Sequence, residues 1–172
     1  MSMSSISGSA ILLCIATTAI AESPGLGEPV SQSEIEQLDF VVMPDGSGLP
    51  AGSGTAMEGQ ALFATHCIAC HGEDGTGGIN DRLAGGHGSL ATDAPAKTVG
   101  SYWPYATTLF DYIRRAMPYQ SPGTLTPDEI YALTAYVLFI NEIVDENAEL
   151  DAEALPAVRM PNADGFTWDY QP

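Results

Sequence analysis

Cys67-Ile68-Ala69-Cys70-His71 decides how this chain is read. Two thiols three residues apart, with an imidazole directly after the second, match the pattern by which a c-type haem is attached covalently. Each thiol is placed to add to one vinyl group of the porphyrin, and the tether then holds the adjacent His71 beneath the iron as its proximal ligand. A zinc site needs four ligands, yet the only other cysteine, Cys14, lies in an apolar N-terminal run. A thioredoxin-like dithiol belongs in a βαβ pattern, and none surrounds the motif. The motif occurs once, so one covalent haem c is expected, bound through Cys67, Cys70 and His71.

An iron that only passes electrons is ordinarily saturated, and a methionine thioether as second axial ligand favours the reduced state. The candidates after the N-terminal run are Met43, Met57, Met117 and Met160. Met117 is favoured: it follows His71 by 46 residues and ends a helical pattern in a Met-Pro step, which lets the chain pass around the haem and return. Met160, followed by Pro161, and His87 are the alternatives. The expected metal ligands are therefore His71 and Met117, while His66 is read as a surface histidine. Haem propionates need donors, and the chain has only five basic side chains. Arg82 and either Arg114 or Arg115 are the cationic candidates, with Tyr102, Trp103 and Tyr105 as further donors. The other use for these arginines is to neutralise neighbouring carboxylates, and both readings stay open. No catalytic side chain is expected.

Outward from the motif, the first 21 residues carry no charged side chain and end Ala19-Ile20-Ala21, the small-x-small pattern of a secretory signal peptide. Residues 1–21 are read as a cleaved signal and the mature protein as periplasmic, with no stable membrane anchor, because the apolar run falls short of the roughly 20 residues a span requires. All 22 acidic and five basic residues follow Ala21, so the mature chain keeps a formal charge of −17. Such a field disfavours nucleic acid and anionic membrane, and it suits a partner with a basic face or a permanent complex with an apolar interface.

The fold class expected is all-α. Residues 22–55, rich in Pro, Gly and Ser, are read as an N-terminal arm with little regular structure, ending at Thr55 as a helix cap. A helix is expected from about Ala56 to His66, with Gly59 and Phe63 as half of a helix crossing. The glycines between 72 and 88 imply a loop wrapping the haem edge, with Leu83 facing inward. A second helix fits Pro104 to about Met117, with a stripe of Leu109, Tyr112, Ile113 and Ala116. A third starts at Thr126-Pro127-Asp128-Glu129 and runs to about Asn141, where Ala132, Ala135 and Tyr136 meet Gly59 and Phe63. Residues 56–142 form the monohaem domain, and 143–172 a tail whose Leu155, Val158, Met160 and Phe166 pack back onto it.

With these residues placed, the stretch from Gly48 to Gly165 resembles a class I c-type cytochrome. More narrowly, it is similar to the cytochrome subunit that accepts electrons from periplasmic sulfite dehydrogenase or the Sox sulfane dehydrogenase. The narrower resemblance rests on Gly48-Leu49-Pro50 with Gly52-Ser53-Gly54-Thr55, on Gly100-Ser101-Tyr102-Trp103-Pro104-Tyr105-Ala106 through Arg114-Arg115-Ala116-Met117-Pro118, and on Leu155-Pro156 with Met160-Pro161-Asn162. It implies the class I fold and electron transfer from a molybdopterin sulfite or sulfane dehydrogenase to a downstream cytochrome or oxidase. Related strings also occur in cytochromes that serve quinoprotein dehydrogenases, and a catalytic haem protein is the remaining rival. Where many class I cytochromes place a proline whose carbonyl accepts from the proximal histidine, this chain reads Asp81-Arg82, so a non-proline carbonyl is expected there. Mass spectrometry of exported protein should find the chain from Glu22 plus one haem that survives acidified solvent extraction; a second haem, or none, contradicts the motif count.

Overall fold

The protein is described from a computed structural model over residues 25–167. The expected signal segment 1–21 with Cys14, and the tail residues Trp168 and Tyr170, lie outside the described residues. Among those residues no helix is long and apolar enough to cross a membrane. The chain divides into two units, one ending at Leu38 and one beginning at Asp39.

The first unit holds helix α1, Gln32–Leu38, in the arm expected to lack regular structure. Its start is a capping box: the Ser31 N–H donates to the Glu34 carboxylate at 2.9 Å, and the Glu34 N–H donates back to the Ser31 hydroxyl at 3.3 Å. Seven residues are too few for hydrophobic periodicity to register, which is why the pattern alone missed it. The arm also contains a short strand, β1, Ser53–Thr55.

In the second unit, helix α2, Ala56–His66, and helix α5, Pro127–Phe139, cross at close range. Between them in sequence come one helical turn, α3, Ile68–His71, and helix α4, Ala106–Ala116. Both long helices start on Thr-x-x-Glu capping boxes, at Thr55 with Glu58 and at Thr126 with Glu129. The threonine N–H groups donate to these glutamates and hold both carboxyls below the usual range. A depressed carboxyl stabilises the fold above its unfolded pKa, so this contribution is lost as acid protonates the glutamates.

The crossing point is Gly59. A Cβ there would lie 2.0 Å from the Ala132 carbonyl oxygen and 2.8 Å from the Tyr136 Cβ, so only hydrogen fits. One turn on, the Phe63 ring stacks against Tyr136 with centroids 5.1 Å apart. Helix α5 is buried all round from Ile130 to Leu138, beyond the Ala132, Ala135 and Tyr136 set that faces α2. The reason is that α4 covers the side α2 does not: Phe110 meets Tyr131 at 4.5 Å, and the Tyr131 hydroxyl donates to the Pro50 carbonyl at 2.9 Å.

Helix α4 begins two residues later than expected, because Tyr105 is its extended N-cap and Pro104 precedes it. Its buried positions are Ala106, Thr107, Leu109, Phe110 and Ile113, while Tyr112, assigned to the inner stripe, is exposed. Strand β2, Glu149–Asp151, pairs antiparallel with β1 through Ser53↔Asp151, Gly54↔Leu150 and Thr55↔Glu149, a ladder the all-helical reading did not contain. Helix α6, Ala154–Ala157, follows, and Leu150, Leu155 and Met160 are buried in the common core.

Helix α5 stops at Phe139, short of the expected Asn141. The Asn141 amide, itself buried, is instead a three-way tie: its NH2 donates to the carbonyls of Val137 at 2.8 Å and Leu83 at 3.1 Å, and its oxygen accepts from the Gly85 N–H at 3.2 Å. It fastens the glycine-rich loop to the helix end.

Gly59→Ala should lower unfolding stability by roughly 2–4 kcal/mol in a denaturant titration, since the methyl meets backbone that cannot yield. Asn141→Leu should cost about 2–3 kcal/mol by leaving buried backbone groups unpaired, and amide exchange at Gly85 should accelerate; unchanged exchange there would show that the tie carries no load.

Candidate haem site

The site begins where α2 ends. Cys67 is the C-cap of α2, its N–H donating to the Phe63 carbonyl at 2.9 Å, and the chain turns there before α3. The N–H groups of Cys70 and His71 donate to the Cys67 carbonyl at 3.1 and 2.9 Å. One helical turn thereby puts Cys67, Cys70 and His71 at i, i+3 and i+4, on one side of the helix. Both cysteines are half-buried and neither is in a disulfide. Burial, reinforced by neighbouring Cys70, pushes the Cys67 thiol up to about 11.

After His71 the chain must reverse, and Gly72 does so with a φ of +80°. The loop folds back onto the motif: the Gly77 N–H donates to the His71 carbonyl at 2.9 Å, and the Asn80 N–H to the Cys70 carbonyl at 3.0 Å. This brings the Asp81 carbonyl to 2.8 Å from His71 Nδ1. With Nδ1–H donating there, Nε2 is left as the lone-pair nitrogen and the ring is oriented. The acceptor is the non-proline carbonyl that the Asp81-Arg82 step led us to expect.

Met117 is the C-cap of α4, its N–H donating to the Ile113 carbonyl at 3.1 Å. It is partly buried and packed against the core, as Cys67, Ile68, Leu83 and Trp103 each are. The other candidates stand differently. Met160 is 1% exposed inside the core, Met43 and Met57 are exposed, and His87 and His66 are on the surface. Two thiols on one helical turn, an imidazole with an oriented free nitrogen and a half-covered thioether are donor types that fit an iron porphyrin.

The propionate candidates separate. Arg115 Nε pairs with the Asp111 carboxylate at 2.9 Å, the charge-neutralising use. Arg114 is committed to a third use: Nη1 donates to the Phe40 carbonyl at 3.2 Å, and its guanidinium lies 5.4 Å from the Phe40 ring centroid. That bond uses one of the five guanidinium N–H groups of Arg114 and leaves the others available. Lys97 sits over the Tyr102 ring at 5.1 Å, and Arg159 pairs with Asp164. Arg82 makes no ion pair, side-chain hydrogen bond or ring contact among the described residues. Tyr102 packs edge-on against Phe166, and Trp103 against Tyr112 at 5.7 Å. Tyr105 is exposed. Sequence reasoning missed Phe40, Asp111 and Asn141, whose partners are distant in the chain; the isolated polar Asn141 after Leu138-Phe139-Ile140 was the one available signal.

Comparison with known proteins gives the chain's relatives. The family model described as Cytochrome c matches residues 56–140. The chain is 27% identical over 120 residues to a thiosulfate dehydrogenase of Psychrobacter arcticus, covering 67% of this chain and 36% of that one, so it spans about a third of that relative's length. It is 45% identical to a chain in the crystal structure of the sulfane dehydrogenase SoxCD from Paracoccus pantotrophus, with a TM-score of 0.79, covering 86% of this chain and 73% of that one. Covalent haem c is the cofactor that goes with such a chain. The residues from Ala56 to Ile140, and the close match to a solved relative well beyond them, place this protein in the cytochrome c family, as a class I electron-transfer cytochrome related to subunits of sulfur-oxidising dehydrogenases.

Proposed function

We propose that the chain is a periplasmic monohaem carrier that takes electrons from a molybdenum sulfite- or sulfane-oxidising dehydrogenase and passes them to a downstream cytochrome or oxidase. The observation that carries this reading is the 45% identity to a chain of the SoxCD sulfane dehydrogenase over 86% of the present sequence. On this reading Cys67 and Cys70 would hold the haem covalently, and His71 and Met117 would bind its iron. Arg82, Tyr102, Trp103 and Arg114 are its propionate donors. Bound haem supplies an iron that accepts and releases one electron without bond making elsewhere. The protein's part is orientation and tuning. The Nδ1–H bond of His71 to the Asp81 carbonyl fixes the ring and strengthens Nε2 as a donor, while a Met117 thioether favours the reduced state.

The likeness to a thiosulfate dehydrogenase favours one second reading, a catalytic haem with an exchangeable sixth position. A Met117 ligand opposes it, since a filled coordination shell suits transfer rather than turnover. The two readings separate in one experiment. The oxidised protein should show the weak near-infrared thioether-to-iron band, Met117→Ala should abolish it and lower the potential, and the parent should not oxidise thiosulfate by itself. Persistence of the band in Met117→Ala, with loss in Met160→Ala, would move the ligand to Met160. For the donor, the cognate molybdoenzyme with sulfite or a protein-bound sulfane substrate should reduce the haem within its turnover time. Rapid reduction by a quinoprotein dehydrogenase instead, with none by the molybdoenzyme, would overturn the sulfur assignment.

A further inference from the structure

We infer that the extended segment from Phe40 to Pro44 is a strap that positions Met117, with Phe40, Asp111 and Arg114 as positioning residues for the iron's sixth ligand. This rests on the proposed role of Met117. The segment runs antiparallel along the outer side of α4. At the helix end, Arg114 Nη1 donates to the Phe40 carbonyl at 3.2 Å. In the middle, the Val42 N–H donates to Asp111 Oδ1 at 3.1 Å, and at the start the Thr107 hydroxyl donates to the Pro44 carbonyl at 3.4 Å. Four extended residues cover about 13 Å and seven helical residues about 10 Å, so the two spans match. The contacts are densest in the last turn. The guanidinium groups of Arg114 and Arg115 lie 5.4 and 5.3 Å from the Phe40 ring centroid, and Arg115 Nε donates to Asp111 at 3.0 Å.

That turn is where an α-helix frays, because its last carbonyls lack partners. Met117 caps it with a single backbone bond to Ile113. Met117 leaves the iron more readily when the turn can move, and the strap opposes that movement by holding the guanidinium groups of Arg114 and Arg115 against the Phe40 ring. An external ligand competes only for the population in which Met117 has left, so its apparent affinity reports that fraction directly.

The test uses full-length holoprotein, oxidised, with imidazole as the probe. Phe40→Ala and Asp111→Ala should each bind imidazole about tenfold more tightly than the parent, with the haem still attached. Phe40→Tyr, which keeps the ring, should bind as the parent does. Thr126→Ala weakens the cap of α5 without touching the strap and should leave imidazole affinity unchanged. If the near-infrared band is present in the parent but both alanine variants stay within twofold of it, the strap inference is overturned and the Met117 ligand stands. An equal rise in Thr126→Ala would overturn it too, by showing a response to general destabilisation. If the parent has no band, the ligand assignment itself has failed.

Discussion

The close crossing of α2 over α5 is the constraint on which the rest depends. With hydrogen at Gly59 the two backbones approach until the Ala132 carbonyl occupies the space a Cβ would take, and Phe63 can then lie on Tyr136. Each helix delivers one side of the haem site at its far end. Helix α2 stops at Cys67 and hands the chain to the turn bearing Cys70 and His71. Helix α5 stops two residues before Asn141, which grips the loop that presents the Asp81 carbonyl to His71. A displacement at the crossing would therefore move the histidine and its acceptor relative to each other. Helix α4 inherits its place from the same crossing, since Phe110 rests on Tyr131 of α5.

What was legible in the sequence was what is local in the chain. The haem motif, both Thr-x-x-Glu caps and the Gly59 crossing depend on residues a turn or less apart, or on a missing side chain whose meaning does not depend on its partner. The third capping box, at Ser31, follows the same rule but was passed over in a segment whose Pro and Gly content argued for irregular structure. The β1 and β2 ladder was not legible, because three-residue strands carry too little alternation to register and their partners lie about a hundred residues apart. Asn141 and the strap belong to the same class. Apart from the Asn141 bond to Val137, their bonding partners are 56 to 74 residues away, and no short-range pattern marks an asparagine that ties a loop or a phenylalanine that receives two arginines.

Which use each arginine takes was not legible either, for a related reason. A guanidinium can serve a propionate, a carboxylate, a backbone carbonyl or an aromatic face with comparable geometry, so residue type alone does not choose among them. Position chooses. Arg114 and Arg115 sit on consecutive residues of the last turn of α4, which directs both over Phe40 once the arm lies on that helix. Arg159 is taken by Asp164 and Lys97 by the Tyr102 ring.

The spending of cations on internal contacts has a consequence for the surface. Of five basic side chains, four are paired with carboxylates, rings or a carbonyl, while the chain carries 22 acidic residues. Many of those carboxylates are exposed, Glu142, Asp145 and Glu146 beyond the end of α5 among them, and nothing on the described surface offers a ring of cations to a partner. At physiological ionic strength the field of such a surface decays over about 8 Å, so it acts on a partner at close approach and not from afar. A protein that exchanges electrons with this one must therefore bring its own positive groups to the contact or rely on apolar surface. The chain offers the second directly, in exposed large apolar side chains such as Ile79 and Tyr119 on the two segments that follow His71 and Met117. Negative charge then works mainly as exclusion, keeping other acidic proteins away from the residues through which an electron has to pass.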